Sequence, residues 1–585
     1  MTSYRAIQFG DPAVCVRTEG GATYVEAAEP LGEYATRTTD RLLHWAEQAP
    51  ERTFMACRGV DGAWQHLSYA QAWAQGCAVA QALLDRKLSA ERPLVILSGN
   101  DLQHAVLALA CQIAGVPFVP VSPAYSLVSG DFGKLRHIRD LLNPGLVFAS
   151  DGAQFGRALD TVFDGTESVV SGSFDALLRT VPTQAVEQAR LATGPDTIVK
   201  FLFTSGSTRM PKAVITTQRM LCSNQQMLLQ CWPFLAGEPP VLLDWLPWNH
   251  TFGGNKNVNM VLFNGGTLYI DEGKPTAQGI ATTLANLREI APTIYFNVPK
   301  GWEDIARALL GDEALARNFY SRLRLQFYAG AALSQPVWDQ LHRSAERTLG
   351  ERVVMTTGLG MTETAPCALF VQRIEVHAGE LGNPSPGMQA KLVQCGDKVE
   401  IRYRGPNVMP GYWHAPDETA AMFDDEGYLC SGDAVTWLDP QRPQLGFVFD
   451  GRVAEDFKLN TGTWVSVGAL RDLAIAAGAP YLQDVVVTGH DRSEVGLLII
   501  PRPEAAGMRG FFQDLIDRLH AQGTGSATRV ARALVLEQPP SVELGEITDK
   551  GSINQRAMLT QRAADVARLY AGNDDAIIQA KRKLP

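Results

Sequence analysis

The segment Ile198-Val199-Lys200-Phe201-Leu202-Phe203 leads directly into Thr204-Ser205-Gly206-Ser207-Thr208-Arg209-Met210-Pro211-Lys212. The first part is mostly apolar and predicts a buried strand. The second part carries four hydroxyls, a glycine, an arginine and a lysine. A strand that ends in such a loop places backbone N–H groups, hydroxyls and a lysine charge around a polyanion. The spacing fits neither G-x-x-x-x-G-K-[ST] nor G-x-G-x-x-G, so it indicates another kind of phosphate site.

Strand-like and helix-like segments alternate on both sides of this stretch. Apolar residues at helical spacing predict helices, and short apolar runs beside turn residues predict strands. The predicted helices are 101–114, 277–290 and 335–349, and the predicted strands are 116–121, 146–149, 241–246, 267–270 and 324–328. This alternation predicts an α/β fold with largely parallel sheets covered by helices.

The pattern changes near residue 399, where short antiparallel strands are expected at 400–404 and 446–450. Beyond Gly451 the helix-like and strand-like segments predict a small α+β unit. These segments are 470–477 and 511–521 for helices, and 485–488, 496–500 and 531–536 for strands. We therefore expect a large N-terminal domain of layered α/β sheets, residues 1–452, and a small C-terminal domain, residues 453–585. Residues 1 to about 40 are weakly patterned and predict an N-terminal extension.

Composition excludes several classes of protein. The 585 residues carry a formal net charge of -10, which disfavours nucleic acid and acidic lipid as partners. None of the nine cysteines stands in C-x-x-C spacing, which argues against a zinc site or a disulfide framework. The N-terminus lacks a signal-peptide pattern, and the most apolar segment is interrupted by Pro117 and Pro120, so no membrane span is expected. A cytoplasmic enzyme is the resulting expectation, and a homodimer is left open.

Further motifs follow the opening stretch in a defined order. They are Gly330-Ala331-Ala332-Leu333-Ser334, Gly358-Leu359-Gly360-Met361-Thr362-Glu363-Thr364, Gly405-Pro406-Asn407-Val408-Met409-Pro410-Gly411-Tyr412, Tyr428-Leu429-Cys430-Ser431-Gly432-Asp433 and Gly451-Arg452. In this order the set closely resembles the adenylate-forming superfamily of acyl-CoA synthetases, aryl-CoA ligases, peptide-synthetase adenylation domains and luciferases. The resemblance runs from about residue 67 to about residue 556. It implies an AMP-binding N-terminal domain and a mobile C-terminal domain. It also implies ATP and CoA as reactants and Mg²⁺ as the metal cofactor.

The resemblance also implies roles for individual residues. Thr362 would donate to the α-phosphate of ATP, Glu363 would hold Mg²⁺, and His250 would flank the carboxylate pocket. Lys550 is the candidate for the family's late lysine, a residue near the end of the chain that contacts the reacting carboxylate and the α-phosphate during adenylation. The nucleotide-binding and CoA-binding candidates are Thr204, Ser205, Gly206, Ser207, Thr208, Lys212, Gly330, Ala331, Ala332, Gly358, Leu359, Gly360, Asp433, Arg452 and Lys458.

Within this set, the loop 204–212 would close over the β- and γ-phosphates, and residues 330–332 would form a thin wall against adenine. Asp433 and Arg452 would hold the ribose, and Lys458 would lie where CoA enters. Simpler readings are a helix-terminal charge for Glu363, a turn cap for Asp433 and a surface ion pair for Arg452. The shared order of the motifs favours the functional roles.

Three positions depart from the family pattern. Leu359 stands where an aromatic residue commonly stacks on adenine. Ala454 stands where the family usually has an acidic residue or a lysine as the hinge. Ser552 occupies the place of the late lysine, which makes Lys550 the nearest replacement. A solvated surface lysine is the alternative for Lys550.

The polar segment 255–259, after His250, together with 405–412 and 548–556, looks most like feruloyl-CoA synthetases, which activate hydroxycinnamates such as ferulic and coumaric acid in aromatic acid catabolism. The first expectation is therefore an ATP-dependent ligase that joins an aromatic carboxylic acid to CoA and releases AMP and pyrophosphate. An acyl-AMP ligase for a medium-chain fatty or benzoic acid, with another acceptor, is the second. A non-enzymatic protein that binds a nucleotide or an acyl-adenylate is the third.

Overall fold

The structure of the protein is a computed structural model that describes residues 3–204, 210–276, 278–331, 333–505, 507–541, 543–547, 553–571 and 574–581. The chain forms two compact units. The first comprises Met1–Leu392, Arg402–Cys430 and Trp437–Val448, and the second comprises Val393–Ile401, Ser431–Thr436 and Phe449–Pro585. The sequence-based boundary between residues 452 and 453 remains a prediction. None of the helices in the described residues combines the length and apolar character needed to cross a membrane.

A six-stranded sheet in the first unit carries the opening stretch. Its strands lie in the order Lys212–Thr217, Ile198–Thr204, Phe118–Pro120, Leu94–Leu97, Leu146–Ala149 and Ser168–Val170. All neighbours pair in parallel except the first two, which are antiparallel. The inner strands are buried along their length, as expected for a parallel sheet with both faces covered.

The first unit contains two further groups of paired strands. A four-stranded sheet has the order Val241–Asp244, Thr267–Ile270, Thr53–Arg58 and Trp64–Ser68. In the other group, Ile294–Asn297, Leu325–Tyr328 and Val354–Gly360 are parallel, and pairing continues antiparallel through Cys367–Phe370, Glu380–Pro384 and the start of Phe447–Arg452. Val14–Glu19, Ala22–Ala27 and the start of Gln389–Cys395 also pair antiparallel. Lys398–Arg404 and Leu429–Trp437 each contribute residues to both units.

Helices cover these sheets. Those of the first unit are Thr38–Gln48, Tyr69–Asp85, Leu102–Ala114, Ala124–Leu127, Gly133–Leu142, Gly156–Val162, Asp175–Leu178, Gln184–Ala192, Gln218–Cys231, Val258–Asn264, Ile280–Glu289, Pro299–Gly311, Glu313–Ser321, Gln335–Leu349 and Pro416–Ala420. Leu102–Ala114 illustrates why they form. Asp101 caps its first turn by accepting from the His104 N–H at 2.7 Å, and Gly115 ends it in the left-handed conformation.

The second unit has its own buried core. Leu482–Thr488, Val495–Pro501, Val530–Val535 and Ile577–Gln579 form a four-stranded sheet in that order, with helices Val467–Gly478, Arg509–Gln522, Gln555–Gln561 and Ala563–Ala571. A short hairpin joins Phe457–Lys458 to Trp464–Val465. Buried Val485, Leu497 and Leu515 belong to one apolar cluster of this unit.

The predicted fold class is confirmed: a large layered α/β part is followed by a smaller α+β part. The helix expected at 335–349 and the strand expected at 146–149 have the predicted bounds. The weakly patterned N-terminus contains a hairpin, Val14–Glu19 with Ala22–Ala27. Its first strand is mostly exposed on both faces, so the alternation that identifies a half-buried strand is absent there.

Candidate functional site

The predicted phosphate-binding stretch connects two antiparallel neighbours in the six-stranded sheet. Thr204 ends the strand Ile198–Thr204, and Lys212 begins the next strand directly opposite it. Both ends of the stretch are therefore fixed by backbone pairing. Ser205, Gly206, Ser207 and Thr208 lie outside the described residues.

Tyr412 lies beside this pair of strands. It forms a bridge with Val214, and the Ile215 N–H donates to the Gly411 carbonyl at 3.2 Å. The segment around Tyr412 is thereby added to the edge of the sheet. The ammonium of Lys212 lies 4.9 Å from the centre of the Tyr412 ring, within cation–π range.

Thr362 and Glu363 occupy a short 3₁₀ turn, Thr362–Thr364, immediately after the strand Val354–Gly360. Both side chains are buried. The Tyr412 hydroxyl donates to Oε1 of Glu363 at 2.9 Å, and the Met409 N–H donates to the Glu363 carbonyl at 2.8 Å. Burial, together with the Glu363 charge, raises the pKa of Tyr412, which keeps the phenol a donor. Lys212, Tyr412 and Glu363 therefore form one connected group.

The predicted adenine-binding residues follow two neighbouring parallel strands. Leu325–Tyr328 and Val354–Gly360 pair in register, and the Thr357 hydroxyl donates to the Tyr328 carbonyl at 2.8 Å. Gly330 and Ala331 follow the first strand, whereas Gly358, Leu359 and Gly360 end the second. Because the strands are parallel, both groups lie at the carboxyl ends of the strands, on the same side of the sheet, where α/β proteins bind ligands. Ala332 lies outside the described residues.

Two of these glycines leave room for another part of the backbone. A Cβ at Gly360 would come within 1.6 Å of the Pro366 carbonyl oxygen, and one at Gly358 within 2.4 Å of the Leu369 carbonyl oxygen. Gly330 differs, because it has space but a φ of +93°. The first two positions are set by close packing and the third by backbone conformation.

His250 precedes a π-helical turn, Phe252–Asn257. Its Nδ1 accepts from the Phe252 N–H at 3.2 Å, and its carbonyl accepts from the Gly254 N–H at 2.8 Å. Because Nδ1 accepts, the neutral ring carries its proton on Nε2. Turns of the π type are rare and frequently mark functional sites. The ring orientation is thus fixed by the segment that the sequence associates with the acyl group.

The second unit brings Asp433 and Arg452 together. Arg452 Nε lies 3.4 Å from Oδ1 of Asp433, and its Nη2 donates to the Ser431 carbonyl at 3.1 Å. The Val453 N–H donates to the Gly432 carbonyl at 2.9 Å, which holds the two segments side by side. Asp433 is nearly buried, whereas Arg452 is half exposed. The two predicted ribose-binding residues are therefore neighbours.

Lys458 lies in the short hairpin of the second unit, with its ammonium 4.9 Å from the centre of the Trp464 ring. Near the predicted hinge, Lys398 pairs with Asp456 at 2.7 Å, and Asp456 also accepts from the Val467 N–H at 2.9 Å. Burial raises the pKa of the neighbouring Glu455 carboxyl, while the Arg452 charge opposes this shift. Lys550 and Ser552 lie outside the described residues.

Glu363 fits the expected Mg²⁺ as a single ligand. A buried carboxylate supplies the hard oxygen that this ion prefers, and Mg²⁺ commonly takes one or two carboxylates with water and phosphate oxygens completing its shell. Among the described residues, no three His, Cys, Asp or Glu side chains converge into an all-protein metal cluster. The donor set suits a metal that arrives with phosphate.

Sequence reasoning missed two side chains of this region. Tyr412 ends a recognised motif, yet only the fold reveals that it contacts both Lys212 and Glu363. Lys256 lies six residues after His250 and is fully buried. The polar run at 255–259 was the available signal, but it did not distinguish Lys256 from its asparagine neighbours.

Comparison with known proteins gives matches over most of the chain. Residues 42–413 match the sequence profile of the AMP-binding enzymes, and residues 465–574 match the profile of the AMP-binding enzyme C-terminal domain. The structure also resembles that of the anthranilate CoA ligase AuaEII in complex with anthranoyl-AMP, with a TM-score of 0.71. That likeness covers 92% of this chain and 98% of the other at 18% identity, and it supports the fold.

Two sequence relatives share fewer than a quarter of the aligned residues with this chain. A probable acyl-activating enzyme 16, chloroplastic, of Arabidopsis thaliana is 22% identical over 475 residues, which are 64% of each chain. The 3-[(3aS,4S,7aS)-7a-methyl-1,5-dioxo-octahydro-1H-inden-4-yl]propanoyl:CoA ligase of Rhodococcus jostii is 24% identical over 431 residues, 70% of this chain and 78% of the relative. The chain thus spans slightly under two thirds of the plant relative.

Proposed function

Because the chain belongs to the AMP-binding enzyme family, we propose that it is an ATP-dependent acid–CoA ligase that acts through an acyl-adenylate. A carboxylate oxygen attacks the α-phosphorus of ATP, and the bond to pyrophosphate breaks. The CoA sulfur then attacks the acyl carbon, AMP leaves, and the thiol proton passes to solvent. The observation that carries the proposal is the connected group Lys212, Tyr412 and Glu363, which joins a cation to a metal-binding carboxylate.

In this proposal the first unit handles the phosphates. Lys212 stabilises the negative charge of the departing pyrophosphate, and Thr362 donates to the α-phosphate. Bound at Glu363, Mg²⁺ would neutralise phosphate charge. Tyr412 holds both Lys212 and Glu363 in place, so that little reorganisation is needed when charge moves. Catalysis then rests on positioning and charge neutralisation.

The nucleoside is assigned to the remaining predicted residues. Gly330 and Ala331 would leave a thin surface for adenine, and Leu359 would offer an aliphatic face. Asp433 would accept from both ribose hydroxyls, with Arg452 supporting its carboxylate at 3.4 Å. Lys458, in the second unit, is assigned to CoA.

The acyl group is proposed to be an aromatic acid of the hydroxycinnamic type, such as ferulic or coumaric acid. Buried rings close to His250 support this choice. Phe252 lies two residues after His250 and packs on Phe296 and Phe327, at 6.0 and 5.9 Å between ring centres. Flat aromatic groups stack favourably against such rings. The resemblance to an anthranilate CoA ligase structure is compatible with this substrate class.

Lys550 is proposed as the lysine that contacts the reacting carboxylate and the α-phosphate. It would replace the lysine that the family has at the position where this chain has Ser552. K550A is then expected to lower the rate of acyl-adenylate formation by about a hundredfold or more. The thioester-forming step, measured from chemically prepared acyl-adenylate, should change little. An unchanged adenylation rate would remove Lys550 from the mechanism.

The decisive test is a panel of carboxylic acids assayed for CoA-dependent release of AMP and pyrophosphate. We expect ferulate and p-coumarate to give the highest kcat/KM, above benzoate and octanoate. Pyrophosphate exchange without CoA consumption would instead indicate an acyl-AMP ligase with another acceptor. ATP binding without exchange, for every acid, would reject the proposed ligase activity.

A further inference from the structure

Lys256 is the most unusual buried charge of the first unit. Its side chain is 1% exposed, and its Nζ has no hydrogen-bond partner among the described residues. Burial lowers the pKa of this amine to about 7, although Cys367 and Asp244 oppose the shift. A buried amine without an acceptor is costly, and an apolar side chain of similar length would avoid that cost. The position therefore calls for a use of the amine.

Five aromatic rings surround this amine. Nζ lies 3.3 Å from the centre of the Phe327 ring and 4.1 Å from that of Phe296. The other three ring centres lie 5.0–5.9 Å away and belong to Trp232, Phe252 and Phe370. The rings also pack on one another, for example Trp232 on Phe370 at 5.4 Å. We call Lys256 with these rings the aromatic cage. Cation–π attraction offsets part of the burial cost but satisfies no N–H group.

Within the part of the chain that the structure describes, other polar atoms near the cage also lack partners. There the indole N–H of Trp232 is a second buried donor without an acceptor. In the same described ranges, the side-chain oxygens of Gln225, Asn255 and Asn257 are buried acceptors without donors. The Gln225 amide nitrogen donates to the Asn255 and Lys256 carbonyls at 3.3 Å, so these residues form one group. Buried polar atoms are normally satisfied, and a ligand hydroxyl, which both donates and accepts, would satisfy atoms of both kinds.

The cage connects directly to the candidate site. Phe252 donates its N–H to His250, and its ring belongs to the cage. Phe370 stands opposite Gly358, so a Cβ there would lie 3.2 Å from the Phe370 ring. Lys256 lies six positions after His250, within the π-helical turn Phe252–Asn257.

From these observations we infer that Lys256 is a specificity-determining residue that donates a hydrogen bond to an oxygen substituent on the aromatic ring of the acid, at the end remote from the carboxylate. The inference rests on the proposed ligase function and assigns the side chain that separates a ring bearing a hydroxyl from one without it. The carboxylate lies toward His250, and the ring oxygen of the acid lies beside the amine of Lys256. Acids without a ring oxygen leave the amine unsatisfied and bind less well.

The test compares p-coumarate, which has a 4-hydroxyl, with 4-methylcinnamate, which has a group of similar size but no oxygen. The wild-type ratio of kcat/KM for the two acids is expected to be at least about tenfold, and K256M should lower it by about tenfold. K256Q, which keeps a shorter neutral donor, should give an intermediate ratio. K391M is the control, because Lys391 is another buried lysine, it pairs with Asp424 and Glu426 instead of contacting the cage, and its loss should leave the ratio unchanged.

Each result has a distinct meaning. A wild-type ratio near one, or an unchanged ratio in K256M, would overturn the role of Lys256 while leaving the ligase proposal intact. If no carboxylic acid supports pyrophosphate exchange in the wild type, the proposed function itself fails. If thermal unfolding shows that K256M does not fold, the kcat/KM ratio in K256Q decides. A wild-type ratio overturns the inference, and a lowered ratio supports it.

Discussion

The phenol of Tyr412 donates a 2.9 Å hydrogen bond to Glu363, while its ring lies 4.9 Å from the ammonium of Lys212. Lys212 begins the edge strand of the six-stranded sheet, whereas Glu363 follows a strand of a different sheet. One side chain therefore sets the spacing between a cation and a carboxylate from two separate elements. This relationship leads to the first prediction.

Y412F removes the hydroxyl but keeps the ring beside Lys212. The Glu363 carboxylate loses the hydrogen bond from Tyr412, so its position relative to the bound metal becomes less well defined. We expect the kcat of pyrophosphate exchange to fall at least about tenfold, with a change of about 1 kcal/mol in the free energy of unfolding. Y320F is the control, because it removes another buried hydroxyl, which donates to the Leu341 carbonyl at 3.2 Å. Equal activity losses in both variants would contradict a positioning role for Tyr412.

Two glycine substitutions should separate packing from backbone conformation. In G360A the new Cβ would meet the Pro366 carbonyl oxygen at 1.6 Å, so the two segments must move apart. We expect G360A to lose several kcal/mol of stability, whereas G330A should lose about 1 kcal/mol, because its cost is the left-handed φ of +93° alone. Urea unfolding measures both. Similar losses would show that the close contact at Gly360 is easily relieved.

D433N tests the assignment of the ribose to the second unit. The ion pair with Arg452 is partly exposed, so its loss should change stability by less than about 1 kcal/mol. The KM for ATP should nevertheless rise about tenfold, because an amide presents only one acceptor oxygen to the two ribose hydroxyls. Steady-state kinetics with varied ATP measure this change. D439N, which alters an exposed ion pair with Arg442, is the control and should leave the KM unchanged.

Several parts of this architecture could be predicted because the signal was local. The helix Gln335–Leu349 ends at a left-handed Gly350, and the strand Leu146–Ala149 follows a Pro-Gly pair, so sequence and structure agree on their bounds. The order of the motifs likewise identified a family that the profile match confirms. Residue spacing carries this information without any knowledge of tertiary contacts.

Other features depend on contacts between distant segments. The pairing of Tyr412 with Glu363 joins residues 49 positions apart, and the five rings of the aromatic cage come from five separate stretches of the chain. Lys256 could not be recognised from sequence, since a lysine among asparagines looks solvated until its burial is known. Substitutions at such positions are therefore the ones that test the structure itself.

The last prediction concerns His342, which packs edge-on against the rings of Tyr4 and Trp338 at 5.7 and 6.4 Å. Its Nε2 is buried without a hydrogen-bond partner among the described residues. Burial, assisted by the Arg352 charge, lowers the pKa of His342 to about 4. The folded pKa thus lies below the unfolded value of about 6.5, so the unfolded chain binds a proton that the folded chain excludes.

This difference should destabilise the fold as the pH falls from about 6.5 to about 4, by at most about 3 kcal/mol. H342L removes the titrating ring and should flatten that part of the pH profile of stability. The measurement is the urea midpoint at pH 7.0 and 4.5, and the expected reduction in slope is about 1 kcal/mol of unfolding free energy per pH unit or more. H66L, which replaces an exposed histidine, should keep the wild-type profile. A buried neutral histidine with a lowered pKa opposes protonation of the folded state, so replacing it should reduce the loss of stability in acid. If H342L and the wild type instead lose stability in parallel over this range, the acid sensitivity arises from other groups.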